Sequence, residues 1–138
     1  MSRENMTRTS QREKVMQSIY QLLFDIDNNI EYDATVIINS VFNTSDFSLI
    51  PEFAQKIYVY ALDNFEDIKK IIKDNLTTWS YERLDPIVKA VLFTALSEYI
   101  YVKDTPKTVV INEAIKLTKS YASVTDYKFV NSLLDKVL

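Results

Sequence analysis

The chain has 138 residues, of which 47% are hydrophobic and 25% are charged, and its formal net charge is −3. This length and composition suit one globular domain over residues 1–138. Cysteine, histidine and glycine are all absent. Their absence excludes disulfides, zinc–thiolate sites, histidine-based catalysis and glycine-rich phosphate-binding loops. We therefore expect a protein that is not an enzyme and that holds no cofactor or metal ion.

The first predicted helix runs from about Thr7 to Phe24. Apolar residues at helical spacing mark the face that packs into the core. A second stripe on the flank of the helix carries Gln17, Tyr20 and Phe24. Two interpretations of this stripe are open. Another helix covers the aromatic rings, or the rings form a partner-binding face.

The middle of the chain predicts further helices between polar breaks. One covers about 32–43, and Ser48 with Pro51 forms the start of the next, because proline needs no N–H partner in a first turn. Apolar residues then recur at helical spacing over 53–76. This stretch is either one long helix or two helices with a kink near Asp63–Asn64.

The pair Asp85–Pro86 predicts the start of a fifth helix within 83–101. This segment is apolar nearly all round, which is typical of a central helix. Glu98 falls inside the apolar surface, and a buried carboxylate must be hydrogen-bonded or paired. An acid–base group and a polar tie to another helix are both open. The polar tie to another helix is favoured, because the sequence offers no second group that could act with Glu98 in acid–base catalysis.

The last two predicted helices are amphipathic and lie on either side of a short break. One runs from the Thr105–Pro106 cap to about Tyr121, and the other covers about 127–138. The sequence therefore predicts an all-α, single-domain bundle of about seven helices. No apolar run is long enough to span a membrane, and the N-terminus lacks the apolar core of a signal peptide. We expect a cytoplasmic protein that does not enter a membrane.

Charge is distributed unevenly along the chain. Residues 1–24 and 103–138 each carry a net charge of +2, whereas residues 25–102 carry −7. If the two ends meet in space, they form a basic patch on an acidic body, and such a local potential attracts anionic partners. The alternative is that these small imbalances arise by chance.

Four segments carry a family resemblance. They are QREKVMQSIYQLLF (11–24), RLDPIVKAVLFTALSEY (83–99), VVINEAIKLTKSY (109–121) and KFVNSLLDKVL (128–138). In order and spacing they resemble the bacterial transcription antitermination factor NusB. The resemblance implies an all-helical protein that binds boxA-like single-stranded RNA together with the ribosomal protein NusE. It also implies loading onto the RNA polymerase elongation complex with other Nus factors.

The resemblance further implies functional residues. Those for RNA binding are Arg8, Arg12, Lys128, Phe129 and Asn131, and Tyr20 matches the family's tyrosine in the first helix. Tyr20 and its neighbours in the flank stripe, Gln17 and Phe24, are the predicted partner-binding residues. Arginines at i and i+4 can present two guanidinium groups to phosphates on one face. A phenylalanine beside a lysine offers a stacking surface next to a charge. For Phe129, packing into the core is the open alternative.

The chain also departs from the family pattern. Thr9, Ser10 and Gln11 occupy positions where the family has arginines, Phe93 replaces a common arginine, and Ala122 replaces a common glycine. Fewer phosphate contacts imply weaker RNA binding with a shallower salt dependence. The alternative function is therefore a protein–protein adaptor or homodimeric scaffold that has lost most RNA binding.

Overall fold

The computed structural model describes residues 6–123 and 125–138. Within them the chain forms seven α-helices and no strand, which confirms the predicted all-α class. The helices are α1 (Arg8–Asp27), α2 (Ala34–Val41), α3 (Glu52–Asp63), α4 (Phe65–Asp74), α5 (Pro86–Leu96), α6 (Lys107–Tyr121) and α7 (Asp126–Val137). Arg3 and Glu4, which belong to the predicted basic N-terminal segment, and Val124, in the predicted last break, lie outside the described residues.

The first helix begins where the sequence predicts and ends later. The Thr7 side chain accepts a hydrogen bond from the Ser10 N–H, which caps α1 at its N-terminus. The helix continues past Phe24 to Asp27, because nothing in the polar segment after Phe24 breaks it. The chain turns at Asn29, which has a positive φ of 55°, a backbone conformation that asparagine tolerates better than most residues.

The segment 53–76 forms two helices, which confirms the kinked alternative. Asn64 ends α3, and its side-chain amide donates to the Tyr60 carbonyl at 2.9 Å. Ser48 does not cap α3. Instead, the Asp46 carboxylate accepts from the Ser48 N–H and caps a short 3₁₀ turn that leads to Pro51. A carboxylate reaches the free N–H groups of a turn more readily than a serine inside it.

Helix α5 is the centre of the bundle, as predicted. All nine residues of 88–96 are buried, and the helix contacts α1, α3, α4, α6 and α7. It starts at Pro86, where the Asp85 carboxylate accepts from the Ile87 N–H at 2.7 Å. The predicted start at Asp85–Pro86 is therefore confirmed, and Arg83 lies in a 3₁₀ turn that precedes the helix.

The end of the central helix widens into a π-helical segment, Ser97–Val102. The Lys103 N–H donates a hydrogen bond to the Glu98 carbonyl, five residues earlier, at 3.0 Å.

The fold accommodates two of the departures from the family pattern, Phe93 in α5 and Ala122 at the end of α6. Phe93 is fully buried, and its ring lies 5.0 Å from that of Phe65. Ala122 ends α6 in an extended conformation that needs no glycine.

A buried network of charges joins three parts of the fold. The Arg12 guanidinium donates to both Glu98 carboxylate oxygens at 2.7 Å and to Glu113 Oε1 at 3.1 Å. The Thr9 hydroxyl also donates to Glu113. These bonds connect α1, the π-helical segment and α6. Glu98 is therefore a polar tie to another helix, as the sequence analysis favoured.

Helices α6 and α7 run antiparallel. The Lys107 ammonium at the start of α6 lies 3.4 Å from Asp135 Oδ1 near the end of α7. The end of α6 therefore lies beside the start of α7. None of the described helices combines the length and the apolar character needed to cross a bilayer.

Replacement of Arg12 should test the buried network. We expect Arg12→Gln to lower the free energy of unfolding by about 3–5 kcal/mol, because it leaves the buried Glu98 carboxylate without its cation and Glu113 with Lys116 alone. Urea unfolding followed by circular dichroism measures the change. Arg8→Gln is the matched control. Its ion pair is exposed, so the change should stay below about 1 kcal/mol. An Arg12 variant as stable as the control would contradict the structural role.

Glu113 should make stability depend on acid pH. Burial acts to raise its pKa, but the hydrogen bond from Thr9 and the charges of Arg12 and Lys116 outweigh burial and lower the pKa below its usual 4.5. A lowered pKa contributes stability that is complete above the pKa of the unfolded chain and is lost as pH falls through the folded value. In Glu113→Gln, the loss of stability at acid pH should be smaller than in the wild type. Equal acid dependence in urea unfolding of the two proteins would refute this.

Candidate nucleic-acid interface

The two predicted arginines do not share an exposed face. Arg8 is half-exposed, with its guanidinium 2.9 Å from Asp104 Oδ2 and 4.3 Å from the centre of the Phe53 ring. Arg12 is 5% exposed, and the buried network uses its guanidinium. The predicted pair of guanidinium groups facing phosphate is therefore not formed. Arg8 alone presents its charge to solvent.

The exposed ion pair of Arg8 leaves that residue available to an anion. Pairs of this kind contribute about 0–1 kcal/mol, so an RNA phosphate could replace Asp104 at little cost. Two surface depressions flank the Arg8 side chain, and one of them is lined by Lys56 and Lys103 as well as by the carboxylates of Glu52 and Asp104. The start of α1 can therefore contribute to phosphate binding through Arg8 and its lysine neighbours.

The predicted partner-binding stripe of α1 is partly covered by α6. The Gln17 amide donates to the Tyr121 hydroxyl at 2.7 Å, and that hydroxyl donates to the Glu13 carboxylate at 2.8 Å. Tyr20 is half-buried against the core, whereas Phe24 is 47% exposed. Each of the two interpretations of the stripe thus describes a part of it. Binding of a partner through Phe24 stays a prediction.

The hydroxyl of Tyr121 is held in its protonated form. Burial and the hydrogen bond to Glu13 raise its pKa above the usual 10, against a smaller opposing effect of Gln17. A tyrosine hydroxyl is protonated at neutral pH even at its usual pKa, so the group donates to Glu13 there without needing this shift. This interaction keeps the end of α6 in contact with α1.

The first two turns of α7 carry the other predicted RNA-binding residues. Lys128 and Asn131 are exposed, and Phe129 is half-buried. Phe129 packs against the core with part of its ring and lines a cleft of about 410 Å³ with the rest. Both alternatives for Phe129, core packing and an accessible ring, are therefore realised at once.

The cleft beside Phe129 includes residues that the sequence analysis missed. Trp79 and Arg83 line it, together with Leu84, Asp85, Val88, Thr125 and Asp126. Trp79 is 56% exposed, and it is the single tryptophan of the chain. The one available signal was this large aromatic residue inside a polar break. An exposed indole, a guanidinium and a phenylalanine in one cleft suit unpaired bases.

The two predicted basic ends are joined by α6. Arg8 contacts Asp104 just before α6 begins, and Lys128 lies where α6 ends. The 15 residues of α6 separate them by about 20 Å. Lys116 and Lys119 are exposed along this path, whereas Glu113 is buried. The basic ends are therefore not adjacent, but cations lie between them.

The comparison with known proteins identifies the family. The NusB family model matches residues 9–138. This chain belongs to the NusB family. A transcription antitermination protein NusB from Alkaliphilus oremlandii is 35% identical over 131 residues, covering 95% of this chain and 92% of the relative.

Solved structures agree with the assignment to the NusB family. NusB of T. maritima superposes with a TM-score of 0.82 at 28% identity, covering 96% of this chain and 90% of that one. A chain from a crystal structure of antitermination factors NusB and NusE in complex with dsRNA has a TM-score of 0.76 at 24% identity. The match covers 96% of this chain and 97% of that one. At this identity, the similarity to that structure shows only that the two chains share a fold.

The fluorescence of Trp79 should report on occupancy of the cleft. If a base enters beside Phe129, it will cover the exposed indole. We expect single-stranded RNA to reduce quenching of tryptophan emission by acrylamide, and double-stranded DNA to have a smaller effect. Quenching that is unchanged by saturating RNA would exclude Trp79 from the interface.

Proposed function

We propose that this protein is a transcription antitermination factor that binds boxA-type single-stranded RNA together with the ribosomal protein NusE. In this proposal the pair acts in the RNA polymerase elongation complex with other Nus factors. The observation that carries the RNA-binding part is the accessible ring of Phe129 in a cleft with Trp79 and Arg83, next to the exposed Lys128. Membership of the NusB family supports the same role.

The cleft provides the two interactions that unpaired RNA needs. Aromatic rings of Phe129 and Trp79 can stack on bases whatever their sequence, and the cations of Arg83 and Lys128 can bind phosphates. Asn131, also exposed, can hydrogen-bond a base edge. We keep Arg8 as a phosphate contact and assign Arg12 to the buried network, because its guanidinium is already bonded to two carboxylates.

The proposed role is non-enzymatic, and the whole chain acts as one RNA-binding domain. We propose that NusE binds at a surface that includes Phe24 with its neighbours Tyr20 and Gln17, since about half of the Phe24 side chain is exposed. A factor that acts on nascent bacterial transcripts works in the cytoplasm, so we place the protein there.

A titration with labelled RNA tests the function. We expect boxA-like RNA to bind more tightly than a scrambled RNA, with greater discrimination when NusE is present. Phe129→Ala should weaken binding by roughly 5–150-fold, because one base stack contributes about 1–3 kcal/mol. Fluorescence anisotropy at two salt concentrations gives both affinities and the salt dependence.

Controls separate lost binding from lost folding. Phe129→Ala must retain the circular dichroism spectrum of the wild type, because part of the ring packs on the core. Lys70→Gln removes one exposed charge from α4 and should bind RNA like the wild type. Equal affinity for boxA-like and scrambled RNA, with and without NusE, would contradict the proposed recognition of boxA-type RNA. It would show only that a basic surface binds RNA of any sequence.

A second candidate function is a protein–protein adaptor or homodimer that binds RNA weakly. The burial of Arg12 and the exposure of Phe24 favour it, because the first removes a phosphate contact and the second offers an apolar surface. In that case the complex with NusE, or a homodimer, should form without RNA and be insensitive to salt. Phe24→Ser should disrupt this complex more than Phe129→Ala does.

A further inference from the structure

A lysine and a tyrosine that no prediction included meet where α6 ends and α7 begins. The Lys119 ammonium lies 4.5 Å from the centre of the Tyr127 ring. Lys119 is exposed, and Tyr127 is half-buried. The face of an aromatic ring attracts a cation, so Tyr127 holds this ammonium at a defined place on the surface.

Lys119 and Tyr127 lie between two surfaces described above, the stripe of α1 and the first turn of α7. Tyr121, two residues after Lys119, is bonded to Gln17 and Glu13 of α1. On the other side, Tyr127 is followed directly by Lys128. Lys119 with Tyr127 therefore lies between the stripe of α1 and the first turn of α7.

The first turn of α7 presents three consecutive side chains in three directions. Successive helical residues are about 100° apart. Phe129 turns toward the cleft beside α5, Tyr127 lies against Lys119 of α6, and Lys128 lies between them on the exposed side. A single RNA strand that crosses the start of α7 would pass the side chains of Tyr127, Lys128 and Phe129.

The charges of Lys119 and Lys128 are uncompensated. Along α6, Lys107 and Lys116 pair with Asp135 and Glu113. Over residues 6–123 and 125–138, no carboxylate lies within 4.0 Å of Lys119, and the same holds for Lys128. An incoming phosphate would not have to break an ion pair at these lysines.

We propose that Lys119 binds an RNA phosphate and that Tyr127 is the residue that positions it. The contact extends the path of the RNA strand from the cleft at Phe129 onto the exposed side of α6, next to the α1 stripe that we assign to NusE. This inference rests on the proposed function, because it places a further contact in the same RNA site. It also accounts for how the chain keeps phosphate contacts although Arg12 is buried.

Salt dependence of RNA binding tests the proposal. We expect Lys119→Gln to weaken binding and to reduce the slope of log affinity against log salt by about 0.7, the value for one single-strand phosphate contact. The difference from the wild type should then shrink by about 2–3-fold between roughly 50 and 200 mM salt. Lys70→Gln, with the same loss of charge on α4, should leave both affinity and slope unchanged.

Variants of Tyr127 separate positioning from direct contact. Tyr127→Phe keeps the ring and should bind like the wild type, whereas Tyr127→Leu should lose part of the affinity. In Lys119→Gln, the further change Tyr127→Leu should have little effect, because the lysine that the ring positions is gone. Additive losses in the double variant would overturn the positioning role.

The outcomes distinguish this inference from the proposed function. If Phe129→Ala weakens RNA binding but Lys119→Gln changes neither affinity nor slope, the inference fails and the proposed function stands. If the wild type does not bind RNA, both fail. If Lys119→Gln weakens binding of NusE and leaves RNA binding unchanged, the surface is a protein contact and the assignment to RNA is overturned.

Discussion

The burial of one arginine constrains the rest of the structure. The Arg12 guanidinium must find hydrogen-bond acceptors inside the bundle, because an unpaired buried charge is strongly destabilising. Glu98 and Glu113 supply them from the π-helical segment and from α6. This arrangement leaves little freedom in the rotation of α1 about its axis or in its position along α6. The same alignment brings Gln17 to the Tyr121 hydroxyl.

The network has a direct consequence for the surface at which we propose that RNA binds. An arginine that the family resemblance assigns to phosphate binding is instead part of the interior. Exposed cations on α6 and α7, among them Lys119 and Lys128, lie where a phosphate could meet them. Phosphate binding depends mainly on the presence of positive charge at the surface. In the RNA site that we propose, phosphate contacts on α6 and α7 therefore replace one that the resemblance assigned to α1.

The acidic central segment, residues 25–102, contributes side chains to the RNA site that we propose. It supplies Trp79 and Arg83 to the cleft beside Phe129. In the proposed RNA site the exposed indole of Trp79 offers stacking area, and Arg83 places one guanidinium in a lining that also holds Asp85 and Asp126. Local composition of the cleft is thus a better guide to its partner than the net charge of the segment.

Much of the fold follows from local sequence. The start of α1 near Thr7, the Asp85–Pro86 cap, the apolar α5 and the last two helices were predicted, because caps and helical periodicity depend on neighbours within one or two turns. The choice between one and two helices at Asn64 stayed open. One long helix and two shorter helices fit the same apolar spacing. The choice between them therefore depends on how the segment packs against the rest of the bundle.

The sequence by itself determined that Glu98 needs a polar partner, and that RNA-binding residue types stand near both ends of the chain. Tertiary structure alone decided that the partner is Arg12, 86 residues away, and that Trp79 joins Phe129 in one cleft. Periodicity shows which face of a helix is buried. It carries no information on which distant side chain meets that face, because that depends on how the helices pack together.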